Sequence, residues 1–98
     1  MEVKMTKLDL VKMVSQETGI LRKDTKIVVD AFLDAIRTSL IQNKHIELRE
    51  FGTFKNKKRK EKLGRNPKTG EQIGIPPRVV PTFKFSKMWK NDVNKNNS

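Results

Sequence analysis

From Lys55 to Lys68 the chain reads KNKKRKEKLGRNPK, in which eight of fourteen residues are basic and only Glu61 is acidic. Between Asn56 and Lys62 no position is hydrophobic. A strand buries a face by alternating apolar with polar residues. This stretch has nothing to bury on either face, so it must project into solvent or lie on a partner. Thr53-Phe54-Lys55 leads into it as a strand, and Gly64 to Gly70 (GRNPKTG) supplies the residues of a tip. Gln72-Ile73-Gly74-Ile75 returns as the next strand, and Pro76-Pro77 breaks its ladder at an edge. Residues from about 56 to 77 therefore read as a basic two-stranded arm. Such a ribbon repels itself and is marginal in water, which suits a surface that supplies negative charge.

The remainder of the chain agrees. Its 98 residues carry 22 Lys+Arg against 11 Asp+Glu, a formal charge of +11. A polyanion is the expected partner, nucleic acid first and an anionic membrane surface second. The length predicts one domain, 1–98, with a thin core. With no cysteine, disulfides and thiolate metal sites are excluded. His45 is the only histidine, no carboxylate pair accompanies it, and no P-loop spacing occurs, so no catalytic site, metal or cofactor is expected and the chain does not read as an enzyme. No run of about 18 apolar residues could span a membrane. MEVKMTKLDL lacks the apolar stretch of a signal peptide, so an intracellular protein is expected.

Thr6 and Asp9 have capping-box spacing for a first helix, which Gly19 ends. A second helix is expected over about Arg22–Gln42. Its apolar residues, including Phe32, Ile36 and Leu40, cover most of the circumference, and the polar stripe Lys26, Asp30, Asp34 and Arg37 is narrow. A helix apolar on most sides must be buried on most sides, and the simplest cover is a second copy of the chain. Residues 5–43 thus form a helical dimerisation part. Asn43-Lys44 is a turn, and His45–Arg49 alternates as a half-buried strand. Phe51 and Phe54 flank the next turn and anchor it in the core, and Val79, Val80, Phe83 and Phe85 return the chain to that core. Ser86 is expected to cap a final helix, 86–94, before a frayed tail at 95–98. The fold class is α+β: two helices, a three-stranded antiparallel sheet over 45–85 carrying the arm, and a short C-terminal helix.

A β-ribbon fits a DNA groove, its cations release counterions from phosphates, and Pro67 at the tip is a rigid wedge suited to a base step in the minor groove. Lys55, Lys57, Lys58, Arg59, Lys60, Lys62, Arg65 and Lys68 are the arm's candidate DNA contacts, with Arg78 on the returning strand. Blander readings stand beside these. Lys57–Lys60 fits a nuclear-localisation pattern or a merely solvated face, Pro67 a plain turn, and the phenylalanines a base-stacking platform, although their clustering near apolar residues favours the core. An RNA-binding basic protein is the competing function. A membrane binder would place its cations on an amphipathic helix, whereas here they fall on strands.

Phe51-Gly52-Thr53-Phe54, then Arg59, then Gly64-Arg65-Asn66-Pro67-Lys68-Thr69-Gly70 resemble the signature of the bacterial HU and integration host factor family of histone-like DNA-bending proteins. The resemblance runs without an obvious gap from about Met5 to Val93. It implies an intertwined homodimer, with a heterodimer with a paralogue left open. Two arms would reach around DNA in the minor groove, in the cytoplasmic nucleoid, to compact DNA and assist recombination, replication or transcription. By position it makes Pro67 the intercalating residue, Arg65 and Asn66 its neighbours in the groove, and Arg59 and Lys62 part of the arm's lining. Phe51 and Phe83, with Phe54 beside them, would belong to the dimer core, and Lys87 would face flanking phosphates. Ile46-Glu47-Leu48-Arg49 is similar to a strand of one integration host factor subunit, where an Arg oriented by a Glu enters the groove. Arg49 is therefore either a source of site preference or half of an exposed ion pair. Three departures stand out: Lys62 where Arg, Ser or Thr is commoner, Glu50 for the usual Gly, and Ser86 for a common Gly.

Overall fold

The computed structural model describes residues 3–97, in two compact units that divide at Thr38 and Ser39. The first unit holds helix α1 (Lys7–Thr18) and most of helix α2 (Arg22–Ile41). The capping box forms as expected: the Thr6 amide donates to Asp9 Oδ2 at 2.9 Å, and the Asp9 amide donates to Thr6 Oγ1 at 3.3 Å. Gly19, at φ 76°, ends α1 with its amide on the Ser15 carbonyl. Thr25, 3% exposed, donates its hydroxyl to the Leu21 carbonyl at 3.0 Å, which closes the first turn of α2. On the polar stripe, Asp30 takes Lys7 Nζ at 2.6 Å and Lys26 Nζ at 2.9 Å. Among the described residues Asp34 and Arg37 join no ion pair.

Among the described residues of this unit only Val11, at 2% exposure, is a buried hydrophobe; Ile27, Val28, Phe32 and Leu33 of α2 remain open. The expectation that α2 is apolar on most sides thus has its counterpart in a helix whose apolar surface its own unit does not cover.

The second unit begins with the last turn of α2. Asn43 takes the left-handed conformation (φ 58°) and its amide bonds to the Leu40 carbonyl at 3.0 Å, while the Lys44 amide bonds to Ser39 at 2.9 Å. Strands β1 (Ile46–Leu48), β2 (Gly52–Arg59) and β5 (Arg78–Phe85) form a three-stranded antiparallel sheet in the order β1-β2-β5. β3 (Lys62–Arg65) and β4 (Gln72–Ile75) form a separate two-stranded ribbon. The expected arm over 56–77 is therefore two ladders rather than one: residues 56–59, past the last β1 pair at Ile46↔Phe54, pair with β5 as far as Arg59↔Arg78, and β3–β4 follows after a break. The break falls at Lys60-Glu61 opposite Pro76-Pro77, where two consecutive residues have no amide to donate.

Phe51, Phe54, Phe83, Phe85 and Trp89 make an aromatic cluster, with centroid separations from 4.5 Å (Phe51–Trp89 and Phe54–Phe83) to 5.8 Å (Phe85–Trp89). Gly52 sits against it: a Cβ there would lie 2.5 Å from the Lys84 carbonyl oxygen and collide with the Phe83 ring. Helix α3 spans Lys87–Asn97, three residues past the expected end. Asn96 and Asn97 donate their side-chain amides to the Asp92 and Val93 carbonyls, so residues 95–97 are helix rather than a frayed tail, and Ser98 lies outside the described residues. Ser86 also departs from expectation. Its carbonyl accepts from the Lys90 amide, but its hydroxyl donates to the Glu50 carbonyl at 3.0 Å instead of capping α3.

Candidate nucleic-acid interface

Directly paired residues of an antiparallel ladder share a face, and successive residues alternate between faces. In the β2–β5 ladder Phe54↔Phe83, Asn56↔Pro81 and Lys58↔Val79 share the face of the aromatic cluster. Thr53↔Lys84, Lys55↔Thr82, Lys57↔Val80 and Arg59↔Arg78 share the other. Lys55, Lys57, Arg59, Arg78 and Lys84 therefore stand together on one face, all exposed. Among the described residues none of them forms an ion pair. Glu47, paired with Thr53, is on the same face.

This grouping corrects the flat reading of a basic run. Lys58 is on the opposite face from Lys57 and Arg59, and Lys60 lies in the break between β2 and β3. Lys84 joins the cationic face although sequence reasoning passed over it; its even spacing from Arg78 along an alternating strand was the available signal. Asn56 was also missed as an anchor. Its Nδ2 donates to the Leu40 carbonyl at 2.7 Å and to Asn43 Oδ1 at 3.2 Å, tying the last turn of α2 to the middle of β2.

The ribbon closes through Asn66. Its amide bonds to the Glu71 carbonyl, its carbonyl takes the Gly70 amide, and its Oδ1 takes the Lys68 amide at 2.9 Å. Gly70 supplies the positive φ (73°) that the return requires. The Asn66 side-chain oxygen is thus committed to the turn, which leaves the carboxamide nitrogen as its outward donor. Pro67 and Lys68 sit exposed at the tip, and Arg65 is the last residue of β3, paired with Gln72. Lys62 opens β3 opposite Ile75.

Other candidate residues stand on other elements. Arg49 is in the turn between β1 and β2, and Lys87 is the first residue of α3. Phe32 is 53% exposed on α2, Ile36 and Leu40 are half-buried, and Phe51, Phe54 and Phe83 are half-buried in the aromatic cluster. Among the described residues no group of acids, histidines or cysteines could hold a metal ion, and no helix is long and apolar enough to cross a membrane. Chemically the arrangement offers an array of free cations, a narrow ribbon and a rigid ring at its end.

Comparison with known proteins agrees over nearly the full length. A family model described as bacterial DNA-binding protein matches residues 5–94. The DNA-binding protein HU of Thermus thermophilus is 43% identical over 90 residues, covering 92% of this chain and 93% of that protein. Integration host factor subunit alpha of a Marinomonas species is 39% identical over 89 residues, 91% of each. Among solved structures, Anabaena HU in a cocrystal with DNA superposes with a TM-score of 0.87 at 34% identity, covering 91% of this chain and 97% of that one. HU from Thermotoga maritima superposes with a TM-score of 0.65 at 26% identity, covering 91% and 98%.

Proposed function

The chain belongs to the bacterial DNA-binding family of HU and integration host factor, and from that membership we propose that it acts as a homodimeric, two-armed clamp that bends duplex DNA. It is an architectural DNA-binding protein, and its function is binding rather than catalysis. In the finer reading, the cationic face of β2 and β5 neutralises phosphates while the β3–β4 ribbon follows the minor groove. Lys55, Lys57, Arg59, Arg78 and Lys84 carry the sequence-independent part of the affinity through counterion release. Arg65 and the Asn66 carboxamide nitrogen reach minor-groove acceptors, which A·T and G·C pairs share. Pro67 wedges into a base step, and the cost of unstacking is offset by the protein surface that the bend brings against DNA. Lys58, Lys60, Lys62, Lys68, Arg49 and Lys87 add flanking phosphate contacts. Phe32, Ile36, Leu40, Phe51, Phe54 and Phe83 lie in the dimer core. In the cell this activity would compact the nucleoid and help to assemble recombination, replication or transcription complexes.

The observation that carries this reading is the gathering of five unpaired cations on the face opposite the aromatic cluster. Its test is a competition between duplex DNA and double-stranded RNA at several salt concentrations. Tighter binding to DNA, with affinity falling steeply as salt rises, is expected; preference for RNA would replace the clamp with an RNA-binding role. Glu47 on the cationic face supports a second, site-preferring mode, because a carboxylate there would orient a neighbouring cation. Discrete footprints on genomic DNA would favour that mode, and uniform protection the general one.

A further inference from the structure

Leu63 is the most exposed large hydrophobic side chain on any described strand, at 71%. In the β3–β4 ladder it pairs with Gly74, and it shares its face with Arg65 and Gln72. A Cβ built on Gly74 would meet nothing within 4 Å, so the position paired with the leucine leaves it uncovered. The opposite face is different: Ile75 Cδ1 closes to 3.0 Å from where a Gly64 Cβ would stand, so that isoleucine covers its glycine neighbour. The arm thus packs an aliphatic group inward on one face and leaves Leu63 open on the other, two residues from Arg65 and next to Lys62.

We propose that Leu63 is a specificity-determining residue that packs on the floor of the minor groove and selects against guanine there. The inference rests on the clamp reading, which puts Arg65, and with it the face that Leu63 shares, in the groove; the surrounding cations supply the charge complementarity that holds this face against the duplex. The groove floor shows the same acceptors for every base pair, and only guanine adds an N2 amino donor. Leucine offers that donor no acceptor. A guanine beneath it loses water from the amino group without gaining a partner, whereas an adenine loses nothing equivalent.

Inosine lacks the N2 amino group, so the test compares a duplex containing guanine with the same duplex carrying inosine in its place. Binding is read by fluorescence anisotropy at fixed salt for the wild type, Leu63→Thr and Leu63→Met. The wild type and Leu63→Met should bind the inosine duplex at least about fivefold tighter, the low end for an unsatisfied buried donor, and Leu63→Thr should lose that gain. Any softening of the duplex by inosine acts on all three proteins alike and cancels in the comparison. An equal gain in Leu63→Thr, or no gain in the wild type, would overturn the proposal. A wild type that fails to bind either duplex at low salt would overturn the clamp reading itself, so the two failures are distinguishable.

Discussion

Glu50 holds a left-handed backbone at φ 66°, a conformation that costs a residue with a Cβ about 1–2 kcal/mol relative to its usual wells. It keeps the turn geometry that glycine commonly supplies at this point of the family's pattern. Ser86, the other position where glycine is common, donates its hydroxyl to the Glu50 carbonyl at 3.0 Å. The two departures are thus physically coupled, since the serine helps to hold the turn that the glutamate strains. Glu50→Gly should raise stability by roughly 0.5–1 kcal/mol, the relief of strain less the extra entropy of an unfolded glycine. In urea denaturation at fixed protein concentration, Ser86→Gly should cost more in the wild type than in Glu50→Gly. Additive effects would show that the two residues act independently. The sequence displayed both departures, but a hydroxyl partner 36 residues away is a tertiary fact, and the local pattern at Ser86 pointed instead to a helix cap.

At the level of elements, what was legible had local causes. The α1 capping box, Gly19, the apolar circumference of α2 and the proline break in the ladder are each decided by residues within a few positions of one another. What was not legible depended on pairing. The division of the arm into β2–β5 and β3–β4 ladders follows from which residues lie opposite Pro76 and Pro77, and the grouping of Lys84 with Arg59 follows from register. The extension of α3 to Asn97 rests on two side-chain amides that cap carbonyls one turn back. In the helical unit, hydrogen bonds from Lys7 and then Lys26 hold the Asp30 carboxyl below its usual value of 3.8. A carboxyl whose folded value is depressed contributes stability that is fully present above its unfolded value and is lost as pH falls through the folded one. Asp30→Asn should therefore lower the melting temperature near neutral pH, and its deficit should vanish in acid below the folded value. A deficit that persists undiminished there would mean that the aspartate acts through packing rather than charge. Because both lysines are exposed and Asp30 is only half-buried, the neutral-pH difference should be small and shrink further with salt.

The whole molecule poses one question: what covers the apolar surface that the helical unit leaves open. Ile27, Val28, Phe32 and Leu33 on α2 are exposed while Val11 alone among the described residues is a buried hydrophobe, a distribution uncommon in monomeric proteins. In the proposed clamp a second copy covers it and turns one arm into two. Sedimentation equilibrium should give a dimer for the wild type, and Phe32→Asp, which sets a charge in that interface, should shift the mass toward the monomer and weaken DNA binding along with it. A wild type that sediments as a monomer would remove the clamp. In the proposed clamp the arms bend DNA through a wedge at Pro67, and energy transfer between dyes at the two ends of a short duplex reads that bend. Saturating wild-type protein should bring the ends together, and Pro67→Ala should restore much of the distance while losing less in affinity. An end-to-end distance unchanged by saturating wild-type protein would rule out bending, and a Pro67→Ala protein that bends the duplex as far as the wild type would rule out the wedge.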